Sequence, residues 1–210
     1  MNNPHIKLTG NEQLCGSTLE LGNVTILDFW RWAFSNLQMN TVRGIFAEWL
    51  VAKLLCIPLD IRDSWQEWDL ITPGGVKIEV KTSAYLQSWE QVKSSRIAFD
   101  GLKGRKLHSS TSKYAHTATY NADMYVFCVQ IEKDPVKWNA LDIDQWKFYL
   151  LSKEEMERLN QKSLSLNPLT KICPAMTASE FQVKATEMID SIAMRGNSLI
   201  MESRKKLTDK

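Results

Sequence analysis

Hydrophobic residues along this chain change their spacing several times, and each change marks an element. Ile26, Phe29, Trp30, Ala33 and Leu37 recur at helical intervals, which predicts a helix over about 25–37. The run Thr25-Ile26-Leu27-Asp28 resembles a capping box at its start. Asn40 is placed to cap a second helix reaching about Cys56, with Pro58 just past its end. From residue 60 to 82 the pattern turns to strands and a hairpin. Residues 83–95 fit a short helix or an extended crossing, and Arg96-Ile97-Ala98-Phe99 reads as a short strand. Residues 100–122, rich in Gly, Ser, Thr and Lys, read as a long loop or flap. The runs 123–131 and 146–151 are apolar enough to be buried strands. Ser152 with Glu154 and Glu155 opens a short helix, and Thr177 or Ser179 caps a last helix over about 178–194, with a fraying charged tail from Arg195. Residues 1–22 are polar and irregular, an expected N-terminal arm.

The hairpin carries the chemistry. It runs Trp68-Asp69-Leu70-Ile71-Thr72-Pro73-Gly74-Gly75-Val76-Lys77-Ile78-Glu79-Val80-Lys81. With a three-residue loop of Pro73, Gly74 and Gly75, Asp69 lies opposite Glu79. Trp68, Leu70, Val76, Ile78 and Val80 then share one face, while Glu67, Asp69, Ile71, Lys77, Glu79 and Lys81 share the other. A two-residue Gly74-Gly75 turn is also good hairpin chemistry, but it mixes acids with aliphatics on both faces. The odd loop is therefore expected. It sets two carboxylates with Cβ atoms about 5 Å apart, a repulsive pairing that a hard cation such as Mg²⁺ or Mn²⁺ would offset. The competing reading is a solvated face on which Lys77 and Lys81 are the counter-charges.

Composition narrows the setting. The 210 residues, 44% hydrophobic with eight tryptophans, suffice for one domain with a sizeable core, and a net charge of +2 announces no polyanion partner for the molecule as a whole. Cys15, Cys56, Cys128 and Cys173 are far apart and lack zinc-ligand spacing. No apolar leader follows a basic start, and the stretch 45–59 is broken by Glu48, Lys53 and Pro58, so neither a signal peptide nor a membrane span is expected. The expected setting is a reducing cytoplasm.

Glu48 extends the hairpin's acids. Gly44, Ile45, Val51 and Ala52 are its helical neighbours, so it sits on an apolar face, where a carboxylate is costly unless paired or metal-bound. A structural ion pair with Arg43 or Lys53 is the other reading. A helix acid, a hairpin Asp and then Glu-x-Lys is the order found in PD-(D/E)XK nucleases. Glu48, Asp69 and Glu79-Val80-Lys81 resemble that superfamily's motif position by position, with Trp68 where the motif's name has proline. The resemblance covers roughly 40–132 and leaves 133–210 as a C-terminal extension of a single nuclease-like domain. It implies an α/β fold with a restriction-endonuclease-like α-β-β-β-α-β core, a central mixed sheet flanked by helices.

The resemblance also implies an Mg²⁺- or Mn²⁺-dependent endonuclease acting on DNA. Asp69, Glu79 and the Val80 carbonyl would hold the cation, Glu48 would hold a second ion or a water, and Lys81 would orient the attacking water. Candidate nucleic-acid contacts are Lys77, Gln87, Arg96, Lys103, Arg105, Lys106 and Lys113. Between residues 91 and 120, Asp100 is the only acid, and Ser109, Ser110, Thr111 and Ser112 supply hydroxyls for phosphates. An ordinary solvated loop is the alternative there. Trp65, Trp68 and Trp89 flank the site and are expected to pack as core rather than to stack on bases. A homodimer would suit cleavage of both strands of a duplex. Two other functions remain open: a non-cleaving nucleic-acid-binding or assembly module of the same fold, and a glycoside hydrolase using Asp69 and Glu79 as its acid pair.

Overall fold

The computed structural model describes residues 6–18, 22–108 and 113–208. Its elements are α1 (Ile26–Phe34), α2 (Asn40–Leu54), β1 (Leu70–Ile71), β2 (Lys77–Ala84), β3 (Ala98–Phe99), β4 (Leu107–His108), β5 (Lys113–Tyr114), β6 (Met124–Gln130), β7 (Trp146–Ser152), α3 (Lys153–Leu159), β8 (Leu164–Ser165), α4 (Leu166–Ile172) and α5 (Ala178–Thr208). The fold is α/β. A four-stranded mixed sheet in the order β1-β2-β6-β7 has helices against it; β2 and β6 are parallel and the two outer pairings antiparallel.

Local chemistry sets the ends of these elements. The Asp28 carboxylate accepts the Thr25 N–H at 2.8 Å, so the expected capping box starts α1. Ser152 and Glu155 form the same reciprocal pair at α3, and Thr177 and Glu180 at α5. Met39, not Asn40, is the N-cap of α2; Asn40 is its first helical residue and accepts a hydrogen bond from Arg43. α5 continues to Thr208, past the expected fraying point at Arg195.

The hairpin adopts the odd loop. Leu70 pairs with Ile78 and Ile71 with Lys77, and the Thr72 N–H reaches the Val76 carbonyl at 2.9 Å, which leaves Pro73, Gly74 and Gly75 as the loop. Gly75 takes φ +83°, a left-handed conformation that closes such a loop, whereas Gly74 does not enter that region. The expected facing follows from Leu70 on: Leu70, Val76, Ile78 and Val80 are buried, and Ile71, Lys77, Glu79 and Lys81 are not. Trp68, expected with the buried set, is only half-buried and has Lys77 over its ring.

Register carries this alternation across the sheet. Val80 lies beside Val126, which lies beside Leu150; Glu79 lies beside Tyr125, which lies beside Leu151. On the first face Phe46 of α2 meets Trp146, and Phe181 of α5 stacks on Phe148 with ring centres 4.9 Å apart. On the second, Phe99 of β3 meets Phe127 at 5.0 Å and Tyr120 meets Tyr125 at 5.8 Å. Helices thus cover one face, and the segment between β2 and β6 crosses the other. All seven residues of β6 are buried. Among the described residues that crossover holds three two-residue strands and no helix. β7 pairs with β6 along its whole length, so part of the segment after residue 132 belongs to the sheet. Among the described residues, no helix is long and apolar enough to cross a membrane.

The loop geometry gives a direct check. Gly75→Ala should cost about 1 kcal/mol because an L side chain is strained at φ +83°, whereas Gly74→Ala should change stability by less than about 0.5 kcal/mol. Urea denaturation of the two variants measures both. Equal losses would indicate the two-residue turn and the other register.

Candidate active site

β1 stops at Leu70, so β2 runs beyond its edge partner. Asp69 fills the gap. Its N–H donates to the Ile78 carbonyl at 3.0 Å, and its Oδ2 accepts the Val80 N–H at 2.7 Å. Because the N–H and C=O of an extended residue point to the same side, the Val80 carbonyl is also turned toward this edge. Glu79 projects from the face crossed by the segment between β2 and β6. Lys81, two residues on, places Nζ 2.8 Å from Glu79 Oε1. Gly101 passes close to that amine: a Cβ built on it would lie 3.8 Å from Lys81 Nζ.

Glu48 arrives from α2, in the helical layer on the opposite face. Both of its oxygens are held by Arg62, at 2.5 Å from Nε and 2.8 Å from Nη2. The expected alternatives, Arg43 and Lys53, lie elsewhere. Arg43 is buried against the Gln38 carbonyl, Asn40 and Gln87, and Lys53 sits over the Trp49 ring. Arg62 had no periodicity to announce it; its only sequence signal is a place between Asp60 and Asp63 just ahead of the hairpin.

The acids feel one another. Burial, then the Glu79 and Glu48 carboxylates, push the Asp69 carboxyl up to about 7, against the Val80 N–H and Lys81, which favour its charge. The Glu48 hydrogen bonds, aided by the Glu48 and Asp69 charges, strengthen the hold of Arg62 on its proton. Two adjoining cavities meet at Asp69. One, of about 320 Å³, includes Glu48, Arg62 and Asp69 in its wall; the other, of about 300 Å³, includes Asp69, Glu79, Arg105 and Trp65.

Donor chemistry bears on the expected cation. Among the described residues, no three His, Cys, Asp or Glu side chains gather closely enough to enclose an ion. Among those residues Asp69 Oδ1 and Glu79 Oε2 nevertheless carry no hydrogen bond or ion pair, which leaves one open oxygen on each acid. Mg²⁺ keeps several waters and needs one or two carboxylates, so this pair fits a partly hydrated ion.

The expected nucleic-acid contacts scatter. Arg105 is exposed at the second cavity, and Lys106 lies 3.6 Å from Glu67 on the same wall. Lys113 is exposed on β5, while residues 109–112 fall outside the described residues. Lys77 lies 4.1 Å from the centre of the Trp68 ring. Lys103 donates to Asn160 at 2.5 Å, and Arg96 borders a separate cavity beside Tyr85 and Ser165. Gln87 uses its polar groups on Arg43 and the Ala84 carbonyl, inside the protein. The tryptophans divide: Trp68 is half-buried, but Trp65 and Trp89 are 82% and 56% exposed and are not core, because the helices already cover the hairpin's apolar face. Tyr125, beside Glu79 in register, was invisible as a site residue because it sits in an almost wholly apolar, buried strand.

The sequence model of the bacteriophage T4 endonuclease IV family matches residues 34–168. The chain belongs to that family. The matched segment contains Glu48, Arg62, Asp69, Glu79 and Lys81, and it runs through β7 and α3. Comparison with curated proteins finds no match. Membership makes the chain one of a nuclease family and gives the acid cluster a chemical context that geometry alone does not.

The raised Asp69 has a measurable consequence in the ion-free protein. Unfolded, Asp69 titrates near the ordinary aspartate value of 3.8; folded, it titrates at about 7. Between those values the folded state holds a proton that the unfolded state has released, so this group's contribution to stability falls as pH rises from about 4 to about 7. Asp69→Asn keeps an acceptor for Val80 and removes the charge. It should be more stable than wild type at pH 8 by on the order of 2–4 kcal/mol, and indistinguishable near pH 4. Thermal melts in EDTA across that range test this; parallel Tm curves for the two proteins would contradict it.

Proposed function

We propose that the chain is a metal-dependent endonuclease that hydrolyses phosphodiester bonds in DNA at the cluster of Asp69, Glu79 and Lys81. The carrying observation is that these three side chains meet at one sheet edge inside the segment matched by an endonuclease family. Order along the chain supports a restriction-endonuclease-like core around them, here with a crossover after β2 that, among the described residues, lacks the helix expected of that core.

Asp69 Oδ1 and Glu79 Oε2 would hold Mg²⁺ or Mn²⁺, with the Val80 carbonyl on the same edge. Bound there, the cation would acidify a water and neutralise charge on the phosphate. Lys81 is held by Glu79 at 2.8 Å and is the amine nearest that pair, suited to steady the attacking water or the negative charge that develops. With Asp69 ionised, the carboxylates of Glu48, Asp69 and Glu79 outnumber the cations Arg62 and Lys81 by one charge. A divalent ion reverses that sign to the one a phosphodiester requires. Glu48 would reach an ion directly only if Arg62 let go, so its contribution in this reading is charge and support. Arg105, Lys106 and Lys113 are the basic residues best placed to receive the DNA backbone beside the cluster. The unpaired state of all four cysteines suits a reducing cytoplasm.

Incubation with plasmid, single-stranded and branched DNA in Mg²⁺ or Mn²⁺ should give cleavage that EDTA abolishes. Asp69→Ala, Glu79→Ala and Lys81→Ala should each lose at least about 100-fold in rate while melting cooperatively. Full activity in Glu79→Ala would refute the assignment. DNA retention without cleavage would favour the binding module instead, and a hydrolase indifferent to EDTA would favour the glycosidase.

A further inference from the structure

Arg62 is the cation of this cluster for which metal chemistry has no task. It lies in the irregular segment between α2 and β1, on the wall of the cavity that it shares with Glu48 and Asp69. Its partner Glu48 has a side chain only 12% exposed, while the Arg62 side chain is 42% exposed. Glu48 therefore anchors, and Arg62 faces outward.

The geometry of the fork decides what Arg62 can do. A guanidinium carries five N–H donors in one plane. Glu48 takes the edge made by Nε and Nη2, at 2.5 and 2.8 Å. Among the described residues Nη1 has no partner, so the second edge, made by Nη1 and the outer N–H of Nη2, is free. That edge has the spacing that fits two oxygens of a phosphate. Holding one edge on a mostly buried carboxylate removes the rotamer freedom that an arginine otherwise loses on binding.

We propose that Arg62 is the substrate-contacting residue for a backbone phosphate at the cluster, and that Glu48 is a positioning residue that acts through it rather than an ion ligand. The inference rests on the nuclease reading above and assigns the one cation that reading leaves unused. Arg62 would then clamp the phosphate beside the two acids, Asp69 and Glu79, that would hold an ion. Glu48 needs no rearrangement, since its two oxygens stay on the guanidinium throughout.

The test separates the two roles. Binding of a labelled duplex oligonucleotide is measured in Ca²⁺ over a series of salt concentrations, and binding of Mn²⁺ alone is measured by calorimetry. Arg62→Ala should weaken DNA binding about tenfold and make the slope of log K against log salt shallower by about 0.9, the signature of one lost phosphate contact. Arg62→Lys should keep the slope, because charge is retained, while losing affinity along with the fork. Glu48→Gln should bind Mn²⁺ within about threefold of wild type, since it leaves the open oxygens of Asp69 and Glu79 in place. If Arg62→Ala does not fold because Glu48 is stranded, the double variant Glu48→Gln/Arg62→Ala removes both charges and should show the same loss of slope. Loss of Mn²⁺ binding in Glu48→Gln would make Glu48 an ion ligand and overturn the inference. So would an unchanged salt slope in Arg62→Ala. A wild-type chain that retains no DNA sinks the nuclease reading, whereas wild-type binding with an indifferent Arg62 sinks this inference alone.

Discussion

One hydrogen bond fixes the arrangement on which everything else depends: the Val80 N–H donating to Asp69 Oδ2 at 2.7 Å. β1 is two residues long, and the carboxylate takes over where its backbone ladder ends. A longer edge strand would have satisfied β2 with main-chain groups and left no opening for solvent or substrate. Replacing the ladder by a side chain puts an acid in line with the sheet edge and turns a carbonyl toward it. It also lets Glu48 reach past the edge from the helical layer. The odd loop makes this possible, since a slip of one residue would have aimed Asp69 into the apolar face.

The second constraint is charge. Three carboxylates near one another in a half-buried place are unfavourable, and the fold offsets them incompletely. Lys81 satisfies one oxygen of Glu79, and Arg62 satisfies both of Glu48. Asp69 is left with a carboxyl that titrates near neutrality. A core built only for stability would have avoided that cost, and such local conflicts are where functional sites are expected. In the proposed reading the unbalanced charge has a use: it would give a divalent ion something to gain by binding.

What could be read in the sequence was what depends on near neighbours. The hairpin register followed from alternation of period two, and the starts of α1, α3 and α5 from capping residues three positions apart. The acids and Lys81 came from the same local pattern. What depends on distant contacts could not be read. Arg62 meets Glu48 across an irregular segment with no period. Gln87 is claimed by a buried arginine on another element. Trp65 and Trp89 are exposed because the sheet's apolar face already has its cover, a fact of packing rather than composition. The crossover from β2 to β6 breaks into two-residue strands, one of which pairs with a remote part of the chain, Phe99 with Leu164. Strands that short leave no periodic trace.

The most direct test of the account is where an ion goes. Crystals of the protein soaked in Mn²⁺ should show an anomalous density peak between Asp69 Oδ1 and Glu79 Oε2, with Lys81 beside it and Arg62 still forked onto Glu48. A cluster that stays free of Mn²⁺ at saturating concentration, with Asp69 and Glu79 holding only protein partners, would contradict it.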